Sequence, residues 1–193
     1  MNIDLNFIGP YSWINNIGLS CIFTAEECKK SGIYLWTVKT SIGELVYYVG
    51  ETGRNFSIRM YEHFQEHMSG GYHLYNPEQF IRGNRDCIWP GRYERERKTT
   101  VTEFMESYSK FNKTIEELVK IYHFFIAPIQ VEKRIRERIE SGIANYFYSK
   151  EGIIGAYQEK GIRYTKKREG DEEINLTIDS DPVIIGFPVQ IRI

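Results

Sequence analysis

Apolar and polar positions follow two different periods along the chain. From Gly32 the order Gly-Ile-Tyr-Leu-Trp-Thr-Val is β-branched and aromatic, and Leu45-Val46-Tyr47-Tyr48-Val49-Gly50 is a second run of the same kind. Thr40-Ser41-Ile42-Gly43-Glu44 between them supplies turn chemistry. Two such runs around a glycine-containing turn predict an antiparallel hairpin. After Asn55 the period lengthens. Phe56, Ile58, Arg59, Tyr61, Glu62, His63, Phe64 and His67 suit a helix capped by Asn55 and ended at Gly70-Gly71. Ile121 to Ala127 reads as a buried strand closed by Pro128. Ile135, Ile139, Ile143 and Phe147, four apart, predict a helix from Val131 to about Tyr148.

The remaining segments carry weaker patterns. Residues 1–16 form a mixed lead-in with Pro10 and a turn signal at Asn15-Asn16. Thr24 followed by Ala25, Glu26 and Glu27 resembles an N-cap, with a short helix running to about Lys30. Thr102 to Tyr108 and Thr114 to Lys120 look helical. Residues 72–98 form a long irregular stretch, and loops of that length usually serve a function or are mobile. Glu169 to Glu173 is an acidic loop, and Pro182 to Ile193 is apolar enough for one or two strands. The fold class expected is α+β, a small antiparallel sheet of the hairpin and a third strand flanked by helices. A chain of 193 residues suits one domain around one sizeable core.

Composition narrows the picture. Apolar residues make up 41% and charged residues 26%, near the values of an ordinary globular protein. No stretch is apolar for the roughly 18 residues a membrane span needs, and the N-terminus lacks a signal-peptide pattern, so a cytoplasmic protein without membrane contact is expected. Three cysteines, Cys21, Cys28 and Cys87, argue against a disulfide scaffold. The net charge of −1 does not suit a non-specific nucleic-acid binder. A DNA enzyme with this balance has to concentrate its positive charge on one face.

Residues 32–64 resemble the GIY-YIG nuclease family. The first family tripeptide stands as Gly32-Ile33-Tyr34 and the second as Tyr48-Val49-Gly50; Arg59 follows on the next helix, with His63 one turn later. Arg59 and His63 at this spacing share a helix face. The resemblance implies a nuclease core over about residues 31–150, an insertion at about 70–100 and a C-terminal extension over 151–193. It also implies a metal-ligating glutamate on a helix after the third strand. Of Glu132, Glu137 and Glu140, the setting Arg138-Ile139-Glu140-Ser141-Gly142-Ile143-Ala144 best matches the family motif. Glu140 is therefore the expected ligand of one Mg²⁺ or Mn²⁺ ion.

The family roles carry over by position. Arg59 offers a planar fork of donors to phosphate oxygens. Tyr34 takes or orders the attacking water, Tyr48 positions phosphate or water beside it, and His63 accepts or relays a proton from Tyr34. Tyr47 competes with Tyr48, but strand alternation directs the two to opposite faces. The family asparagine beyond the glutamate has no counterpart in Glu151-Gly152-Ile153-Ile154-Gly155, and Asn145 and Asn175 fit it poorly. His63 and His67, at i and i+4 with His73 and Cys87 downstream, also have a spacing that can hold zinc.

The chain carries no second recognisable module, as the family's compact type II restriction endonucleases do not. They build recognition into insertions and termini. That resemblance implies sequence-specific cleavage of double-stranded DNA by a homodimer, with Arg82, Arg85, Arg92 and Arg95 of the insertion as base or phosphate readers. A repair or mobile-element nuclease acting on branched or nicked DNA is one alternative. A degenerate copy that only binds DNA or a protein is another.

Overall fold

The structure is a computed structural model of the chain, and it describes residues 1–15, 18–92, 101–159 and 168–193. The expected hairpin is present as β3 (Gly32–Thr40) and β4 (Gly43–Thr52), and the expected third strand as β7 (Tyr122–Pro128), antiparallel to β3. The sheet does not stop there. The lead-in forms β1 (Asn2–Ser12), which pairs antiparallel with β7 and parallel with both β2 (Ser20–Cys21) and β8 (Asn175–Asp181). With β9 (Gln190–Arg192) beyond β8, the seven-stranded sheet runs β4-β3-β7-β1-β8-β9, with β2 beside β1. The small antiparallel sheet expected from the sequence is thus a larger, mixed and mostly antiparallel one. Both chain termini are built into it. Ile3, Leu5 and Phe7 point into the core while Asn2, Asp4 and Asn6 face out. This is the alternation of a strand with one buried face.

Helix α1 (Phe56–Met68) follows the hairpin. Asn55 occupies its N-cap position without making a side-chain cap bond. The segment expected to be a helix from Thr24 is a single 3₁₀ turn, Glu26–Lys29, and the Thr24 hydroxyl bonds back to the Cys21 carbonyl instead of capping it. The described part of the insertion is structured. It contains β5 (Leu74–Tyr75), the short helix α2 (Pro77–Phe80) and β6 (Cys87–Trp89), which pairs with β5. Asn76 accepts bonds from the amides of Glu78 and Gln79 and caps α2. Then follow α3 (Val101–Glu106), α4 (Tyr108–Ile121), α5 (Lys133–Tyr148) and α6 (Gly152–Tyr157).

Two cores lie on the two faces of the sheet. On one face Tyr34, Trp36 and Val38 meet Phe56 and Met60 of α1 and Ile115 and Leu118 of α4. On the other, Ile33, Leu35 and Val49 meet Ile139, Ile143 and Phe147 of α5. The four-residue spacing in α5 is therefore its sheet-facing stripe. Among the described residues no helix is long and apolar enough to cross a membrane.

Candidate active site

Register explains where Tyr34 and Tyr48 lie. Tyr34 stands opposite Gly50, and Trp36 opposite Tyr48. The Tyr34 ring lies on Gly50 so closely that a Cβ there would sit 2.2 Å from Tyr34 Cζ and 2.4 Å from its oxygen. The glycine of the second tripeptide is thus the space in which the tyrosine of the first one lies. The Tyr34 and Tyr48 rings stack with centroids 6.1 Å apart.

The expectation that Tyr47 and Tyr48 face opposite ways is not met. Pairing passes from Trp36–Tyr48 to Thr37–Val46, so Tyr47 is the extra residue of a β-bulge. The bulge breaks the alternation, and both rings lie against Trp36. Tyr47 turns into the core, where its hydroxyl donates to the Glu159 carboxylate at 2.5 Å. Tyr48 remains with Tyr34.

Helix α1 brings its polar side chains to the same point. Phe56, Met60, His63 and His67 form its buried stripe, so two histidines take positions that apolar residues would ordinarily fill. The Tyr34 hydroxyl lies 2.8 Å from His63 Nε2, and the Arg59 Nε–H donates to the same oxygen at 3.3 Å. The second ring nitrogen, His63 Nδ1, is 2.8 Å from the Tyr72 hydroxyl. Arg59 also donates to Glu62 at 3.1 Å, and Glu62 is held in turn by both terminal nitrogens of Arg54, at 2.6 and 2.8 Å. The Arg59 side chain keeps about a third of its surface exposed. It opens on a cleft of about 410 Å³ lined by Arg59, Glu62, Gln65, Glu66 and Tyr72.

Glu140 arrives from the opposite side of the sheet. Helix α5 covers the other face, and the Glu140 side chain reaches the sheet edge at β4, where Oε1 accepts the Glu51 amide at 3.1 Å. Glu51 is the residue after Gly50, so this contact sets the carboxylate beside the Tyr34–Gly50 pair. The Glu51 carboxylate is itself held by Arg136 Nε at 2.7 Å.

Burial governs the electrostatics. It pushes the Tyr34 and Tyr48 hydroxyls above their ordinary range, and the Arg59 charge only partly offsets this. The same burial, aided by Arg59, holds His63 well below the usual imidazole range, so His63 is neutral. Burial and the nearby Glu51 carboxylate push Glu140 up to about 7, against the pull of the Glu51 amide.

A metal ion would find Glu140 as its protein anchor. Among the described residues no group of three or more His, Cys, Asp or Glu side chains converges. A half-buried carboxylate held by one strand amide suits a hard ion that keeps most of its waters, as Mg²⁺ does, and not a metal caged entirely by protein. The zinc-like spacing is not used in this way. Both nitrogens of His63 are engaged by tyrosines, and His67 is buried among Trp13, Trp36, Tyr72 and Tyr122 with neither nitrogen bonded. Burial lowers the His67 pKa to about 4.

The arginines of the insertion have different fates. Arg82 is exposed. Arg85 is half-buried and donates to the Glu159 carboxylate, the Tyr75 hydroxyl and the Gln158 carbonyl at 2.8, 2.6 and 2.6 Å, while its guanidinium lies over the Tyr47 and Tyr75 rings. Arg92 bonds Ser69 and lies 3.6 Å from Glu66, at the border of the cleft. Arg95 lies outside the described residues. Asn145 and Asn175 are both exposed, and the Asn175 amide bonds Asn2.

Sequence reasoning missed Glu51, Arg136, Glu62 and Tyr72. For Glu62 a signal existed, since it lies three residues beyond Arg59 on one helix face. The other three meet the site only through tertiary pairing.

No family model, no curated protein and no solved structure matches the chain. The resemblance to GIY-YIG nucleases rests on the motif residues of the sequence.

Proposed function

We propose that this protein hydrolyses phosphodiester bonds of double-stranded DNA with one divalent cation, Mg²⁺ or Mn²⁺, held by Glu140, and that it acts as a sequence-specific restriction endonuclease of the GIY-YIG type. The observation that carries the reading is the hydrogen-bonded cluster of buried Tyr34 and His63 with Arg59, which opens on the cleft, with Tyr48 stacked beside it and Glu140 anchored one residue beyond Gly50. Elements distant in sequence deliver five chemically matched groups to one place.

The chemistry follows from these groups. The Arg59 fork faces the cleft and takes phosphate oxygens, stabilising the charge that grows on them in the transition state. Tyr34 is protonated at neutral pH, because burial opposes its ionisation. It can therefore accept a proton from an attacking water only while passing its own to His63 Nε2, 2.8 Å away. Arg59 opposes the imidazolium so formed. An incoming phosphate diester offsets the Arg59 contribution, while burial, the larger cause, continues to oppose the imidazolium. Tyr48 orients the water or phosphate. A metal ion at Glu140 supplies Lewis-acid polarisation of the phosphate and stabilises the leaving 3′-oxygen.

Recognition is assigned to the exposed Arg82 and to Arg92 at the cleft border; Arg85 is committed to Glu159. The ion pairs of Glu62 with Arg54 and Arg59, and of Glu66 with Arg92, leave the cleft close to neutral. Affinity then depends on base contacts more than on bulk phosphate attraction. Cutting both strands of a symmetric site calls for two active sites, hence a homodimer on DNA.

Digestion of unmethylated phage DNA with Mg²⁺ tests the reading. Discrete fragments, lost in Arg59→Ala and Glu140→Ala, are expected. Cleavage confined to branched or nicked substrates would replace restriction with a repair-type nuclease. Binding of duplex DNA without cleavage in Mg²⁺ or Mn²⁺ would leave a binding module.

A further inference from the structure

His63 lies between two tyrosines, and its donors and acceptors can be assigned. The Arg59 Nε–H points at the Tyr34 oxygen and makes it an acceptor. The Tyr34 proton then needs an acceptor of its own, and His63 Nε2 stands 2.8 Å away. A neutral imidazole that accepts at Nε2 carries its proton on Nδ1. That Nδ1–H points at the Tyr72 hydroxyl oxygen, also at 2.8 Å. Neutral His63 is what burial and the neighbouring Arg59 favour. The chain of bonds therefore runs in one direction, from Tyr34 through His63 to Tyr72.

Tyr72 belongs to the insertion and is placed by a pinned turn. Helix α1 ends at Met68, and in the turn after it the Gly71 amide donates to the Glu66 carbonyl at 2.7 Å. The Trp89 indole and the Arg92 amide both donate to the Gly70 carbonyl, at 2.8 and 3.1 Å. Gly70 has φ +71, and a Cβ there would meet the Phe104 ring at 2.4 Å. Glycine is thus needed twice over, for its left-handed backbone and for the ring beside it. The turn drives Tyr72 back alongside α1, where it closes the cleft wall next to Arg59.

We propose that Tyr72 is a positioning residue of this site, its hydroxyl accepting the His63 Nδ1–H and so holding His63 in the one tautomer whose Nε2 can take the Tyr34 proton. The insertion would then complete the catalytic centre as well as contribute to recognition. The bond at one ring nitrogen decides which nitrogen carries the proton, and loss of a comparable supporting partner typically costs ~10- to 100-fold. The proposal rests on the nuclease reading for its consequence, although its geometry can be observed without cleavage.

Long-range ¹H–¹⁵N spectra of the histidine side chains of the full-length protein test it. The expected result is an Nδ1–H tautomer for His63 in the intact protein, shifted towards Nε2–H in Tyr72→Phe. In parallel, kcat for DNA cleavage should fall ~10-fold or more in Tyr72→Phe, with KM within about twofold. A merely structural tyrosine would alter neither the tautomer nor the split between kcat and KM. An Nε2–H tautomer in the intact protein overturns the proposal without any variant. An unchanged tautomer and kcat in folded Tyr72→Phe overturns it too, and leaves the nuclease reading intact. A tautomer shift in a protein that cuts no DNA supports the positioning geometry while removing the nuclease reading.

Discussion

Gly50 and Arg59 show how closely single side chains constrain this site. Gly50→Ala sets a methyl group where the Tyr34 ring lies, on a buried aromatic that cannot swing away. Overpacking of this kind costs ~1–3 kcal/mol. Thermal unfolding should show that loss, and the displaced Tyr34 hydroxyl should take cleavage down with it. Arg59→Lys keeps the charge and loses the fork that serves Tyr34 and Glu62 together. Single-turnover cleavage is expected to drop ~100-fold or more, the scale of losing one transition-state donor, with the unfolding midpoint little changed. A lysine variant that cuts at the wild-type rate would mean that Arg59 acts only as a point charge.

At the scale of elements, the fold was legible wherever one local pattern governed it. The hairpin, α1, β7 and α5 were each signalled by composition or period. What escaped was decided by pairing between distant segments. β1 carries a clean alternation over Ile3, Leu5 and Phe7, but Pro10 and the asparagines after it obscured the signal, and its partners β7 and β8 lie far along the chain. The bulge at Tyr47 leaves no mark in the sequence, yet it decides which tyrosine joins the site. Arg85 looked like a DNA reader because it sits in a basic, irregular stretch. Its partner Glu159 is 74 residues away, so only tertiary structure reveals the pair. Arg85→Ala strands that carboxylate among the Tyr47 and Tyr75 rings. Loss of one partner from such a pair costs about 3 kcal/mol, which denaturant unfolding would measure. Buried His67 gives α1 a pH signature. Its folded pKa of about 4 lies below the ordinary 6.5, so the unfolded chain binds the proton more tightly. The stability it contributes is complete above pH 6.5 and is lost as pH falls towards 4. His67→Phe should remove that dependence, and between pH 7 and 4.5 the wild type should lose about 2 kcal/mol relative to the variant in urea unfolding. Parallel losses in the two proteins would show that His67 already bears a proton in the fold.

For the whole molecule, the arrangement joins two faces of one sheet at a single edge. Tyr34, Tyr48, Arg59 and His63 come from the α1 face, and Glu140 reaches round from α5 to the end of β4. A net charge of −1 gives such a molecule little general attraction for DNA. Binding should therefore be selective and carried by few phosphate contacts, with a shallow salt dependence. Sedimentation on a duplex holding the cleavage site should show two copies per duplex. Whether this cluster is a metal-dependent nuclease centre is decided by separating binding from chemistry. Wild type and Glu140→Ala are loaded on the same duplex in Ca²⁺, and Mg²⁺ is then added. Both proteins should bind, and only the wild type should cut. Equal cleavage by the two proteins, or none by the wild type in Mg²⁺ or Mn²⁺, would contradict the nuclease reading.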